Sequence, residues 1–132
     1  MKVYVIPGNP IPLARARLGR LNRVYDPQKN QKLMTQITLD GQHNGAELLT
    51  GPLHINITFF MPIPKSTSYK QSLKLQGVAH KIKPDLDNLC KFVLDVCSNR
   101  LLYHDDCIIS RITANKIYDI TPRTEFTFEE IV

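Results

Sequence analysis

Lys83-Pro84-Asp85-Leu86-Asp87-Asn88-Leu89, followed by Lys91, sets two carboxylates and a lysine close together, and Asp105-Asp106 adds an adjacent acid pair farther along. Carboxylates with no His or Cys among them are hard oxygen donors, a set that suits Mg²⁺ or Mn²⁺. Two such charges about 4 Å apart repel by about 4 kcal/mol at an effective dielectric near 20, so converging acids need a divalent cation or a shared proton. A lysine beside them could steady charge building on a phosphate or protonate a leaving oxygen. The purely local reading is also complete. Asp85 would be a helix N-cap, Asp87 would sit in the first turn where the helix dipole favours anions, and Lys91 would pair with it one turn on, for about 0.3–0.5 kcal/mol. Spacing alone leaves both open, because it does not show whether the acids opening a helix meet those preceding a distant strand.

The elements that must carry these acids are written in the surrounding periodicity. Pro84 biases Lys83 toward an extended conformation, so strand or loop should give way to helix here. Leu86, Leu89, Cys90, Val93, Val96 and Cys97 then follow the spacing of a buried helical stripe, with Asn88, Lys91 and Asp95 opposite. Ser98-Asn99-Arg100 should end that helix. The two cysteines lie on its core side, without the CxxC or HxxxH spacing of a zinc site. Leu53, Ile55, Ile57, Phe59 and Met61 alternate with His54, Asn56 and Thr58, which predicts a strand with one buried face, ended by Pro62 and Pro64, with His54 toward solvent. Residues 2–6 read as a short strand, and 107–118 and 124–129 as two more joined by a turn at 119–122. Asp26-Pro27 reads as a helix start, with Leu33, Met34, Ile37 and Gly41 on one face and an end near Gly45. Ser66 or Thr67 could cap a short helix stopping at Gly77. This β-α-β-(α)-α-β-β order predicts one α+β domain over 1–132: a mixed sheet of about four strands with two main helices packed on it.

Charge adds a direction. The chain has 132 residues and a formal net charge of +5. Five of its eight aspartates lie between 85 and 106, where the cations are Lys91 and Arg100 alone. An acidic island in a basic body suits a metal-dependent enzyme acting on phosphates better than a general phosphate binder. Arg15, Arg17, Arg20 and Arg23 read as an extended arm whose guanidinium forks match phosphate oxygens. Lys65, Lys70, Lys74, Lys81 and Lys83 form a second basic stretch just upstream of the island. No apolar run approaches the ~18–20 residues of a membrane span, no signal peptide is visible, and three cysteines make a poor disulfide framework. The expectation is a soluble cytoplasmic protein without membrane contact or organic cofactor.

At Lys83-Pro84-Asp85-Leu86-Asp87-Asn88-Leu89-x-Lys91, then Asp95, Tyr103-x-Asp105-Asp106 and Lys116, the chain resembles the RusA-type Holliday junction resolvases, crossover junction endodeoxyribonucleases of bacteria and their phages. Gly8-x-Pro10-x-Pro12 with its following arginines, and Pro62-x-Pro64-Lys65-Ser66, resemble the phage-type branch. The resemblance implies a RusA-like fold and a homodimer whose two-fold symmetry matches a four-way junction nicked at two equivalent sites. It also implies that Asp85, Asp87 and Asp106 hold a catalytic Mg²⁺ (Mn²⁺ as an alternative), that Asp105 stands beside them, and that Lys91 is the essential basic residue. Asn88 matches a position where an amide could brace the carboxylates. The implied reaction is phosphodiester hydrolysis of branched DNA by a metal-activated water, in recombination and repair. The competing readings are a catalytically silent DNA-binding module whose aspartates only cap and turn, and a metal-dependent nuclease preferring other branched DNA or RNA. A small-molecule phosphotransferase would need a glycine-rich phosphate loop that is absent.

Overall fold

The structure, a computed structural model, describes residues 2–15 and 17–132. In chain order the elements are β1 (Tyr4–Pro7), β2 (Arg17–Leu18), β3 (Val24–Tyr25), α1 (Lys29–His43), β4 (Leu53–Pro62), α2 (Tyr69–Leu75), α3 (Leu86–Cys97), β5 (Ile109–Asp119) and β6 (Arg123–Glu130). Single 3-10 turns lie at Arg20–Asn22 and Asp106–Ile108. Four strands form one mixed sheet in the order β1-β6-β4-β5, antiparallel except for the β4–β5 pair. The α+β expectation therefore holds, with three helices among the described residues and an added two-stranded hairpin, β2–β3. Among the described residues no helix is long and apolar enough to cross a membrane.

β4 behaves as its alternation requires. Leu53, Ile55, Ile57, Phe59 and Met61 are buried, while the other face carries hydrogen bonds across the sheet. His54 is drawn into that network rather than left in solvent: its Nε2 lies 2.8 Å from Thr113 Oγ1 on β5. A parallel partner for β4 needs a long crossover, and α2 and α3 supply it. The apolar stripe of α3, joined by Phe92, packs into the same core as β4 and Phe126 of β6.

α1 departs from expectation. Leu33, Met34 and Ile37 are exposed, and the buried positions are Thr35, Leu39 and His43. Polar contacts choose that face. Gln42 closes the free edge of β1, accepting from Val5 N–H on Oε1 (2.7 Å) and donating from Nε2 to Val5 O (2.6 Å). His43 lies 2.8 Å from the Tyr4 hydroxyl through Nδ1 and 3.0 Å from Glu47 O through Nε2. A carbonyl only accepts, so in the neutral ring Nε2 carries the hydrogen and Nδ1 accepts from Tyr4. Tyr4→Phe is expected to leave a buried nitrogen unpaired and cost about 1–3 kcal/mol in urea unfolding; an unchanged midpoint would refute this role.

Two caps also shift. Helix α1 starts after Gln28, and Asp26 instead accepts from Gln28 N–H at 2.8 Å. Helix α2 is capped by Ser68, whose Oγ accepts from Gln71 N–H at 3.3 Å. The basic stretch read as an extended arm is the β2–β3 hairpin, its tip turned by Leu21 and Asn22 at φ +62° and +56°.

Candidate active site

Helix α3 begins at the acidic motif. Asp85 occupies the N-cap position with extended backbone, yet its side chain makes no capping bond. Its Oδ1 accepts instead from Lys83 Nζ at 2.7 Å. That bond, helped by the charge of Lys116, holds the Asp85 carboxyl below the usual carboxylate range. Lys116 reaches in from β5 and donates to the carbonyls of Ile82 (2.5 Å) and Pro84 (2.6 Å), so the sheet fixes the loop that presents Asp85. Lys116→Met is expected to destabilise the chain by about 1.5–3 kcal/mol, the range for a lost charge-assisted hydrogen bond. Lys116→Arg should recover part of this, and equal melting of all three proteins would remove Lys116 from the support of the loop.

Asp87 stands exposed in the first turn of α3 and Lys91 is exposed one turn later. Among the described residues no ion pair joins them. With Leu86, Cys90 and Leu94 of α3 and Ile112 and Ala114 of β5, they line an open cavity of about 580 Å³. The local reading is realised in position but not in bonding: Asp85 is the N-cap residue and Asp87 lies in the first turn, yet Asp85 makes no side-chain cap bond and, among the described residues, Asp87 makes no ion pair with Lys91. Asn88 contributes its main-chain carbonyl, which accepts from Leu13 N–H at 3.0 Å and roots the first basic arm on α3.

The second acid group is placed by a buried tyrosine. After α3 the chain turns through Asn99 and Arg100, both left-handed, and Tyr103 packs fully buried with its hydroxyl donating to Leu94 O at 2.9 Å. This brings Asp105 and Asp106 beside the far end of α3. Asp105 Oδ1 accepts from Cys107 N–H at 3.1 Å, and that bond, with Asp106 next, holds its carboxyl below the usual range. Asp106 is pushed the other way, first by partial burial, then by its hydrogen bond with Asp105 and by the charges of Asp105 and Asp95. The two adjacent acids are thus shifted in opposite directions, Asp105 toward the charged form and Asp106 away from it.

The acids come together in two sets, Asp85 with Asp87 and Asp105–Asp106 with Asp95. Among the described residues no three His, Cys, Asp or Glu side chains stand close enough to hold one ion. The reason is the length of α3: twelve residues span about 18 Å, and Tyr103 pins the second set toward its C-terminal end. The donor chemistry fits a hard divalent cation. The spatial convergence expected of Asp85, Asp87 and Asp106 is not present as a three-acid cluster in the single chain.

Arg15, Arg20 and Arg23 are exposed on and beside the hairpin, and Lys65, Lys70, Lys74 and Lys81 are exposed around α2. The side chain of Arg17 lies outside the described residues. Lys83 is also exposed, but its ammonium is held by Asp85. Sequence reasoning missed the supporting roles of Lys116 and Tyr103. Both stood in the quoted motif, but what each one touches is far away in sequence.

An acid-bearing crossover helix flanked by exposed arginines and lysines is the layout of a protein that handles polyanions. The chain belongs to the RusA endodeoxyribonuclease family, whose sequence pattern, described as endodeoxyribonuclease RusA, matches residues 7–129. It is also similar to the uncharacterized protein YqaN of Bacillus subtilis (strain 168), with 29% identity over 97% of this chain and 95% of YqaN.

Proposed function

We propose that this chain is a Mg²⁺-dependent, structure-specific DNA endonuclease that acts as a cytoplasmic homodimer, resolving four-way junctions by paired symmetric nicks in recombination and repair. One observation carries the reading. In a chain of the RusA family, the acid at the N-cap of α3 is kept off the helix by Lys83 and presented from a loop braced by Lys116. Asp85 gives up the bond that would cap its own helix, and its carboxylate stands exposed where an ion and a phosphate could use it.

On this reading Asp85, Asp87 and Asp106 hold the ion, with Asp105 beside them, and Mn²⁺ can replace Mg²⁺ at the same oxygen donors. When bound, the ion neutralises phosphate charge and lowers the pKa of an attacking water. Among the described residues the two acid sets are separate in the single chain, so this ligand set is the part of the reading that rests on the family alone. Lys91, beside Asp87 in the cavity, stabilises charge on the scissile phosphate or delivers a proton to the leaving oxygen. The exposed arginines and lysines grip the backbone, and affinity should fall steeply with salt.

The test is a synthetic four-way junction compared with a linear duplex of the same arm sequence, in Mg²⁺ and in EDTA. The expected result is paired nicks in the junction alone, lost in EDTA. Cleavage of both substrates alike, or cleavage indifferent to EDTA, would overturn the proposal.

A further inference from the structure

Asp95, in the last turn of α3, is held from the other side by α1. Lys32 places its Nζ between two carboxylates, 2.6 Å from Asp26 Oδ2 and 3.0 Å from Asp95 Oδ2, on a side chain only 19% exposed. An isolated surface pair is worth little. A sheltered ammonium shared by two carboxylates from different elements is more constrained, since losing either contact leaves charge poorly solvated. Asp26 passes the contact on, its other oxygen accepting from Gln28 N–H at 2.8 Å. Gln28 is buried and grips the chain on its far side: Oε1 accepts from Ala14 N–H (2.7 Å) and Nε2 donates to Pro12 O (2.7 Å). Residues 12–14 are the root of the arm that carries Arg15. At the opposite end, Leu94, the residue before Asp95, accepts the Tyr103 hydroxyl at 2.9 Å, and Tyr103 leads two residues on to Asp105–Asp106.

We propose that Lys32 is a positioning residue: through Asp26 and Gln28 on one side and Asp95 on the other, it ties the root of the arginine arm to the Asp105–Asp106 pair. Phosphates gripped by the arm are thereby held in register with the carboxylates. The catalytic consequence rests on the nuclease reading; the tie itself does not.

Lys32→Met keeps the stem of the side chain and removes its charge. Amide exchange at Ala14, read on the protein alone, should quicken about fivefold as its anchor loosens, the scale of one lost hydrogen bond. Single-turnover nicking of the junction should fall ~10–100-fold, the scale of a small misplacement of reacting groups, with affinity changed far less. Lys32→Arg, whose fork can meet both carboxylates, should restore most of the rate and the exchange protection. The Lys32→Met and Asp95→Asn effects on rate should not add, because both break one link. If Lys32→Met fails to fold, Asp95→Asn must show the kinetic loss by itself. Unchanged Ala14 exchange in Lys32→Met, fully additive rate effects, or an Arg variant as impaired as the Met variant would each overturn the tie. A wild-type protein that does not nick junctions would overturn the nuclease reading instead, and the exchange measurement would still decide whether the tie exists.

Discussion

Asp87→Asn is expected to reduce junction nicking in Mg²⁺ by ~10²–10³-fold or more, the scale on which removing one preorganised electrostatic group acts, while junction affinity stays within a few-fold. Asparagine keeps the size and an acceptor oxygen but loses the charge that a hard cation requires. The fold has little stake in this side chain. Asp87 is exposed, in the first turn of α3, and makes no ion pair with Lys91 among the described residues. Its favourable placement near the helix N-terminus accounts for about 0.3–1 kcal/mol, so the melting temperature should move only slightly. Loss of cleavage with retained folding and binding separates an enzyme from a silent DNA-binding module. Equal nicking by wild type and variant would remove Asp87 from the chemistry and leave the capping reading in its place.

Lys91→Ala should lower turnover by ~10²–10⁴-fold, the range for a lost general acid or base, again with affinity within a few-fold. Lys91 is exposed and lines the same cavity as Asp87. If its role were to grip the DNA backbone, the signature would differ: affinity would drop, the salt dependence of binding would flatten by about one counterion, and saturated turnover would survive. Measuring Kd in the absence of Mg²⁺ and the single-turnover rate at saturation distinguishes the two roles. A large affinity loss with intact turnover would move Lys91 from chemistry to binding.

Much of the fold was legible because it is periodic. The alternation from Leu53 to Met61 and the stripe from Leu86 to Cys97 follow from strand and helix geometry, and both elements sit where their patterns put them. The apolar residues of α1 misled for an equally physical reason. Leu33, Met34 and Ile37 form a plausible buried face, yet Gln42 and His43 bind the backbone and hydroxyl of β1, and those polar bonds turn the helix the other way. The arginine stretch had no period to read, and its hairpin depends on pairing between residues 17–18 and 24–25 through a left-handed tip. Cap positions missed by one or two residues: Ser66 and Thr67 satisfy the same local preference as Ser68, and Asp26 binds Gln28 N–H just ahead of a helix that starts without a side-chain cap.

The candidate site divides in the same way. Its residue types, their spacing, the acidic island in a basic chain and the family were all open to a reader of the sequence alone, because each is a property of neighbours along the backbone. The partners of the supporting charges were decided in three dimensions: Lys116 on the carbonyls of Ile82 and Pro84, Lys32 between Asp26 and Asp95, and Asp85 on its near neighbour Lys83 rather than on its own helix. A carboxylate takes whichever donor desolvates it least and reaches it best, and that choice rests on which elements pack together. So the sequence determined which groups could do chemistry, and the packing of α1, α3 and β5 determined which of them are free to do it.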